Sequence, residues 1–542
     1  MSDKKPEDIN FTDVDFSTPD ILKSSSYRYR RCPVFVTLTD SEISAVDIQK
    51  MLEAGMNIAR FTMSSSTRGD KMRLLGKINK ASLVCCEKYD VNSWPVATCI
   101  TLKTCIVKTG LLENDKDFIT LENKTELILF HNISHFNKCN ENNIFVDYPL
   151  ISDDVKVGTE ISIAADEIIL KCISVVDETS IKCVVTKGGK LTSMNDLCVR
   201  NTKRSGPLVT EKDFEMVKFA LKNQVHAIFI CYARHPDTIK IIKKYIASKK
   251  VRRPIILAGI SSEECLENID DIIKESDGII LSRLLLPYEV ESSLQYRMPQ
   301  IQKWIAGKCL QAGKSLYIYG VFDNALRTGF FTNNEISDVT NAIMDGVSGF
   351  MLAKCSSPDN IIEVLNGINK LCYTVEPLVT SKINFRRIID EVKMPINAAE
   401  ATAISCVTVA NQTNARVIII PTVSGRTLRS LQLMRPSSLI IAVSSNIQVT
   451  RHLISYRGVF PLLYNANGLQ HNNWYLSLED RISFALEYAV KRSWLVYGDT
   501  YITLQRGSDT SSFCDSLSIW KVSIMKKSLV ECPENYQDDY LL

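Results

Sequence analysis

Short apolar runs alternate with amphipathic segments of helical period over most of the 542-residue chain. In segment 41–54, for example, Ile43, Val46, Met51 and Leu52 share roughly one helical face, and Gly55 follows as a helix stop. Alternation of this kind is typical of βα units around a parallel sheet. The candidate barrel strands are 33–37, 57–62, 227–231, 254–258, 278–282, 315–319 and 349–353, and the candidate helices are 41–54, 236–248, 262–275, 289–307, 334–345 and 359–371. The pattern predicts an α/β protein with a (β/α)8 TIM barrel.

Two further segments lie outside the predicted barrel. Residues 105–203 contain short alternating strands without a helical pattern between them, which predicts an inserted β domain. Beyond residue 376, helices and strands alternate again, which predicts a C-terminal α/β domain. The predicted organisation is a polar N-terminal segment (1–27), a barrel in two parts (28–104 and 204–376), the inserted β domain (105–203) and the C-terminal domain (377–542).

Charge, hydropathy and cysteine spacing exclude several classes of protein. The 64 basic and 61 acidic side chains leave a formal charge of +3, and neither sign is gathered in a long block, so we expect no nucleic-acid or membrane-surface role. The N-terminus has no apolar secretory core, and no apolar run reaches the ~20 residues of a membrane span, so we expect a cytoplasmic protein. The 17 cysteines are scattered and fit no zinc motif, which favours reduced thiols in the core.

Five local segments together carry a family resemblance. They are Leu-Glu-Ala-Gly-Met-Asn-Ile-Ala-Arg at 52–60, Glu-Ser-Asp-Gly-Ile-Ile-Leu-Ser-Arg at 275–283, Ser-Asp-Val-Thr-Asn-Ala-Ile-Met-Asp-Gly at 337–346, Glu-Ala-Thr-Ala at 400–403 and Ser-Gly-Arg-Thr at 424–427. On these segments the chain resembles the pyruvate kinase family from about Arg28 to Val522. The resemblance implies a TIM barrel with an inserted β-barrel domain and a C-terminal α/β domain. It also implies a glycolytic kinase that transfers phosphate from phosphoenolpyruvate to ADP with Mg²⁺ and K⁺, as a tetramer.

The resemblance assigns roles to two residues that this chain keeps. Arg60 stands where the family places a phosphate-contacting arginine at the end of a barrel strand, although a strand-ending arginine is also found solvated or paired with a carboxylate. Ser64 corresponds to one ligand of the monovalent cation. Thr101 stands where an aspartate completes that cation site, so the resemblance implies weak K⁺ binding.

The central catalytic positions differ from the family pattern. Gly259 stands for the lysine that stabilises the enolate, Ser261 and Leu285 for the two Mg²⁺ carboxylates, and Gly320 for the threonine that helps protonate the enolate. Leu285 belongs to the run Leu284–Leu286, so apolar side chains stand at a strand end where barrel enzymes normally have catalytic residues. We therefore expect no intact catalytic set and no metal site. Both the Mg²⁺ and the K⁺ sites of the family are expected to be lost.

The loop Thr422-Val423-Ser424-Gly425-Arg426-Thr427 resembles the family's effector loop, which holds a sugar phosphate. A helix N-terminus with small polar residues is a ready anion site, but an ordinary helix cap needs the same residue types. In the loop that should close over the phosphate, Asp509 would repel an anion.

Three functions remain open on the sequence. The favoured hypothesis is a family member without useful phosphoryl transfer, which has a structural or regulatory role in homo- or hetero-oligomers with its relatives. The alternatives are a pyruvate kinase of low activity and a sensor of phosphorylated metabolites that acts through residues 422–427.

Overall fold

The computed structural model describes residues 29–523 except 39–42, 62–67, 90, 103–106, 250, 378, 380–384, 387, 391–394 and 466–473. Contacts divide the chain into two compact units, Met1–Cys99 with Cys309–Tyr317 and Val321–Leu542, and Ile100–Lys308 with Ile318–Gly320. No helix among the described residues is long and apolar enough to cross a bilayer.

The first part of the barrel begins with strand β1, and helix α1 after it starts at a capping box formed by Ser44 and Asp47. Its elements are β1 (Val34–Leu38), α1 (Ala45–Glu53), β2 (Ile58–Phe61), α2 (Arg68–Tyr89) and β3 (Ala97–Leu102). The sequence patterns predicted neither α2 nor β3.

The inserted domain follows β3 and is rich in strands. Its elements are β4 (Val107–Lys108), β5 (Ile119–Leu121), β6 (Glu126–Phe130), β7 (Asn143–Phe145), α3 (Ile151–Asp154), β8 (Glu160–Ile163), β9 (Ile168–Asp177), β10 (Ser180–Lys187), β11 (Gly189–Leu191) and β12 (Asp196–Val199). Seven strands form a sheet in the order β4-β12-β8-β9-β10-β6-β7. The two ends of this sheet meet, because Thr109 bridges Val146 and the Asp147 amide donates to the Lys108 carbonyl at 2.9 Å. The predicted β-barrel domain is thus confirmed.

The second part of the barrel contains the remaining βα units. Its elements are α4 (Glu211–Lys222), β13 (Ala227–Ile230), α5 (Pro236–Ala247), β14 (Ile255–Ile260), α6 (Glu263–Glu267), α7 (Ile269–Glu275), β15 (Gly278–Ser282), α8 (Leu286–Glu289), α9 (Met298–Gln311), β16 (Ser315–Tyr319), α10 (Asp323–Thr328), α11 (Asn333–Met344), β17 (Gly349–Met351) and α12 (Pro358–Val375). The predicted single helix 289–307 was wrong. The prolines at 287 and 299 stand in the first turns of α8 and α9, and a 3-10 segment, Ser292–Arg297, separates these two helices.

The eight barrel strands close in the order β1-β17-β16-β15-β14-β13-β3-β2, and the pairs β1–β2 and β14–β15 are parallel. Every residue of β15 is buried, as expected for a strand covered on both faces. The (β/α)8 barrel that the alternating pattern predicted is confirmed.

The C-terminal domain is built on a second, smaller sheet. Its elements are α13 (Ala398–Thr413), β18 (Val417–Pro421), α14 (Arg426–Leu433), β19 (Leu439–Ser444), α15 (Ile447–Leu453), β20 (Val459–Leu463), α16 (Trp474–Lys491), β21 (Thr500–Gln505) and β22 (Ser516–Lys521). The strand order is β20-β19-β18-β21-β22, with only the last pair antiparallel. In β18, Ile418 and Ile420 enter one core cluster while Val417 and Ile419 enter another, so both sheet faces are covered. This arrangement confirms the predicted α/β domain.

Candidate functional site

The candidate site is formed at the carboxyl ends of barrel strands, where α/β barrels carry their chemistry. In the unit that contains Ile100–Lys308 and Ile318–Gly320, strands β14, β15 and β16 place Ser261, Leu285 and Gly320 at or just beyond their ends. Gly259 is the second-to-last residue of β14. The structure therefore brings the positions expected for lysine, carboxylates and threonine to the same end of neighbouring strands.

Gly259 is packed against the backbone at the end of β13. A Cβ atom at this position would lie 2.1 Å from the carbonyl oxygen of Cys231 and 2.8 Å from that of Ile230. The same Cys231 oxygen accepts a 2.7 Å hydrogen bond from the Ser261 hydroxyl, and Ser261 is fully buried. Position 259 therefore has room for glycine alone unless the backbone moves.

Just beyond the ends of β15 and β16, Leu284 and Gly320 pack closely against each other. Gly320 has φ +81°, and a Cβ atom there would lie 2.6 Å from the Leu284 Cβ and 2.9 Å from the Leu284 amide nitrogen. Leu285 and Leu286 are 5% and 0% exposed, and the Leu285 amide donates to the Ser282 hydroxyl at 3.1 Å. A side chain such as threonine at position 320 would therefore collide with Leu284.

Two arginines remain near strand ends, one in each unit. Arg60, on β2, is 3% exposed and donates to the Thr37 hydroxyl at 3.0 Å. Arg283 follows β15 and donates to the Gln302 side-chain oxygen at 2.9 Å, while its amide donates to the Tyr319 carbonyl at 2.8 Å. In these contacts both guanidinium groups donate to neutral oxygen atoms.

The residues expected to ligate a monovalent cation are only partly described. Ser64 lies outside the described residues. Thr101 and Leu102 end β3 and are 4% and 1% exposed. The role given to Ser64 stays a prediction.

Glu289 is a buried carboxylate that no sequence pattern indicated. Its Oε1 lies 2.7 Å from Arg204 Nη2 and accepts a hydrogen bond from the Tyr232 hydroxyl at 3.0 Å. Burial raises the pKa of Glu289, and the adjacent Arg204 opposes that rise. A buried charge that loses its partner costs about 3–5 kcal/mol, so this carboxylate is committed to its ion pair. A single glutamate after an apolar strand end belongs to no motif, which is why the sequence did not reveal it.

Glu263 and Glu264 are the acidic residues closest in sequence to the changed tip of β14. Both stand in the first turn of α6, as expected from the sequence. Glu264 lies 3.7 Å from the Arg234 guanidinium, and the Glu263 carboxylate accepts the Glu291 amide at 3.4 Å. Each carboxylate therefore has a contact of its own on this helix.

The predicted effector loop connects β18 to α14. Thr422 accepts the Gly425 amide at 3.0 Å, and Arg426 Nε donates to the Ser424 hydroxyl at 3.3 Å. Gly425, at φ +80°, is the N-cap residue, and among the described residues no side chain caps the helix. Ser424 and Thr427 therefore do not act as ordinary caps, and the first amides of α14 keep their capacity to donate to an anion.

The loop after β21 is closed by its own hydrogen bonds. The Gly507 amide and the Ser511 hydroxyl both donate to the Asp515 carboxylate, at 2.6 Å each. These bonds, that of Ser511 first, lower the pKa of Asp515. Arg506 donates to the Asp509 carbonyl at 3.1 Å. Donors that a phosphate would need in this loop are thus satisfied internally.

Comparison with known proteins agrees with this architecture. Residues 29–360 match the family model described as pyruvate kinase, barrel domain, and residues 400–519 match the one described as pyruvate kinase, alpha/beta domain. The pyruvate kinase of Candida albicans is 26% identical over 488 residues, which cover 89% of this chain and 94% of that protein. Pyruvate kinase 1 of Saccharomyces cerevisiae is 26% identical over 480 residues, which cover 88% and 93%. The chain belongs to the pyruvate kinase family.

Proposed function

We propose that this chain keeps the pyruvate kinase fold but does not transfer phosphate from phosphoenolpyruvate to ADP at a useful rate. The observation that carries the proposal is the packing of Gly259 against Cys231 and of Gly320 against Leu284. The chemistry of the family needs cations around the phosphates and carboxylates around Mg²⁺. Here the lysine position has no room for a side chain, and leucines occupy the tip of β15.

The residues at the two expected Mg²⁺-ligand positions support the same proposal. Mg²⁺ is usually bound by one or two protein carboxylates together with substrate phosphates. The two positions expected to supply them hold the Ser261 hydroxyl, which donates to Cys231, and the buried Leu285 side chain. The test is an assay of pyruvate formation from phosphoenolpyruvate and ADP with Mg²⁺ and K⁺, in which the chain forms essentially no pyruvate.

The role proposed in place of catalysis is assembly with family members. Within the described part of the chain, β22 is an edge strand of the C-terminal sheet, and its Ile519 and Trp520 side chains are each 51% exposed. Exposed apolar side chains on an unpaired strand edge favour pairing with another chain.

We expect the chain to co-purify with an active pyruvate kinase expressed in the same cells, as an oligomer seen by light scattering. The double substitution Ile519→Lys/Trp520→Lys introduces charge at the edge and is expected to abolish this assembly. The matched control Val175→Lys/Val176→Lys changes two half-exposed valines on β9 of the inserted domain and should leave it intact. A chain that stays monomeric in every case would contradict the role in assembly.

A second candidate function is the sensing of a phosphorylated metabolite. It is favoured by the uncapped start of α14, with the exposed Ser424 and Arg426 beside it. The closed loop around Asp515 argues for weak binding.

Calorimetry with fructose 1,6-bisphosphate tests this function. If the loop binds phosphate, Arg426→Ala should weaken binding at least ten-fold, because a charge-assisted hydrogen bond contributes about 1.5–3 kcal/mol. Arg429→Ala is the matched control, since Arg429 is exposed on the same helix, one turn further on. Absence of binding heat in the unsubstituted chain would rule the function out.

A further inference from the structure

Three buried side chains with metal-binding atoms meet at the base of the first barrel strand. Cys32, Cys372 and Glu376 are each 0% exposed, and their sulfur and carboxylate atoms lie within 4.8 Å of one another. Cys32 precedes β1, whereas Cys372 and Glu376 stand four residues apart at the end of α12, on one face of that helix. Because 344 residues separate Cys32 from Glu376, no sequence motif marks the cluster.

The carboxylate is oriented by backbone donors. Glu376 Oε1 accepts the Cys32 amide at 3.1 Å, and Oε2 accepts the Arg31 amide at 2.9 Å. Metal ligands in proteins are commonly fixed by such outer hydrogen bonds. Oε1 also accepts the Arg31 amide at 3.2 Å. Glu376 is therefore held beside both thiols, and its Oε2, which accepts one amide, still has a lone pair for a ligand.

Two buried arginines beside the thiols lack complete hydrogen bonding. Arg435 and Arg457 both interact electrostatically with Cys32. Among the described atoms, Arg435 Nη1 and Arg457 Nε are buried without a hydrogen-bond partner. Arg457 also hydrogen-bonds the Cys32 thiol. Unsatisfied buried donors are rare in native structures, so these two arginines call for a stronger acceptor than a neutral thiol.

A divalent ion bound by deprotonated thiols accounts for the ligand cluster and gives the two arginines an anionic partner. Binding through two thiols displaces two protons, so the charge of the whole cluster does not change. The ion, two thiolates and one carboxylate together carry −1, which the two guanidinium groups stabilise. The thiolates also become strong acceptors for the nearby N–H groups.

The ligand types identify the metal. Thiolates favour Zn²⁺ and Cu(I), and a carboxylate beside them favours Zn²⁺. Two sulfurs and Glu376 Oε2 supply three ligand atoms of a tetrahedral zinc site, and a water oxygen completes it. We propose that Cys32, Cys372 and Glu376 form a structural zinc site that joins the start of β1 to the end of α12.

The test measures zinc in the full chain purified under reducing conditions and supplied with one equivalent of Zn²⁺. We expect about one zinc per chain after gel filtration, and less than one tenth of that in Cys372→Ser. The matched control is Cys172→Ser/Cys183→Ser, because these buried cysteines pair directly across β9 and β10 in the inserted domain. This control should keep its zinc. Zinc retained by Cys372→Ser, or lost equally by the control, would overturn the proposal.

A second measurement on the unsubstituted chain does not depend on how the variants fold. Zinc-edge X-ray absorption should show two sulfur neighbours at about 2.3 Å with oxygen as the remaining ligands. A chain without stoichiometric zinc, a zinc with only nitrogen and oxygen neighbours, or a Cys32–Cys372 disulfide under these conditions would refute the site.

Discussion

In a lactate-dehydrogenase-coupled assay with phosphoenolpyruvate, ADP, Mg²⁺ and K⁺, the chain is expected to form pyruvate at less than about one thousandth of the rate of pyruvate kinase 1 from Saccharomyces cerevisiae. Loss of one preorganised electrostatic stabiliser commonly costs ~10²–10³ in rate. Here the lysine position and two carboxylate positions are changed together, to Gly259, Ser261 and Leu285. Such losses are not additive, but the loss from one alone reaches this threshold at the upper end of its range.

The assay needs controls against contaminating enzyme and against inhibition. The chain is prepared from a host that lacks its own pyruvate kinase, and the yeast enzyme is assayed alone and after mixing with the chain. Unchanged activity of the mixture shows that the sample contains no inhibitor. A rate within about a hundred-fold of the yeast enzyme, proportional to the amount of chain added, would contradict the proposed loss of catalysis and favour the alternative of a weak kinase.

Most of the fold could be predicted from periodicity because strands buried on both faces are continuous apolar runs. Predicted strands 254–258 and 278–282 correspond to Ile255–Ile260 and Gly278–Ser282. Helix α2 was not predicted because few of its buried residues are strongly apolar. Its buried apolar residues are Leu74, Ile78, Ala81 and Cys85, and two of these contribute little to an apolar pattern. Strand β3 was not predicted because three of its six residues are Ala or Thr, so it does not form a continuous run of large apolar residues.

For the candidate site, the sequence predicted which residue stands at each strand end but not how these residues pack. A family pattern tells which residue stands at each strand end, but not what that residue packs against. The contact of Gly320 with Leu284 and that of Gly259 with Cys231 arise from the approach of neighbouring strands when the barrel closes. The pairing of Glu289 with Arg204 and the cluster around Cys32 likewise join residues far apart in the sequence. These tertiary contacts are the part that sequence patterns do not encode locally.

Restoring the family's lysine by Gly259→Lys is expected to yield no soluble folded protein rather than a more active one. The Cβ atom would lie 2.1 Å, 2.7 Å and 2.8 Å from three backbone atoms of Cys231 and Ile230, so no side-chain rotation relieves the collision. Overpacking commonly costs 1–3 kcal/mol, and it costs more where the obstacle is backbone. Gly259→Ala isolates the steric part, and we expect its free energy of unfolding to fall by about 3 kcal/mol in a urea titration.

Gly307→Ala is the matched control for this experiment. A Cβ atom at Gly307, inside α9, meets nothing within 4 Å, so alanine there should raise the free energy of unfolding by about 0.5–1 kcal/mol. If Gly259→Ala were as stable as this control, the end of β14 would have room for a side chain. The absence of a lysine would then be a change of chemistry alone, and Gly259→Lys should give a soluble folded protein. If Gly259→Ala is destabilised and Gly307→Ala is not, the backbone around the catalytic position has itself changed, and recovery of activity requires the neighbouring strand end at Ile230 and Cys231 to be rebuilt as well.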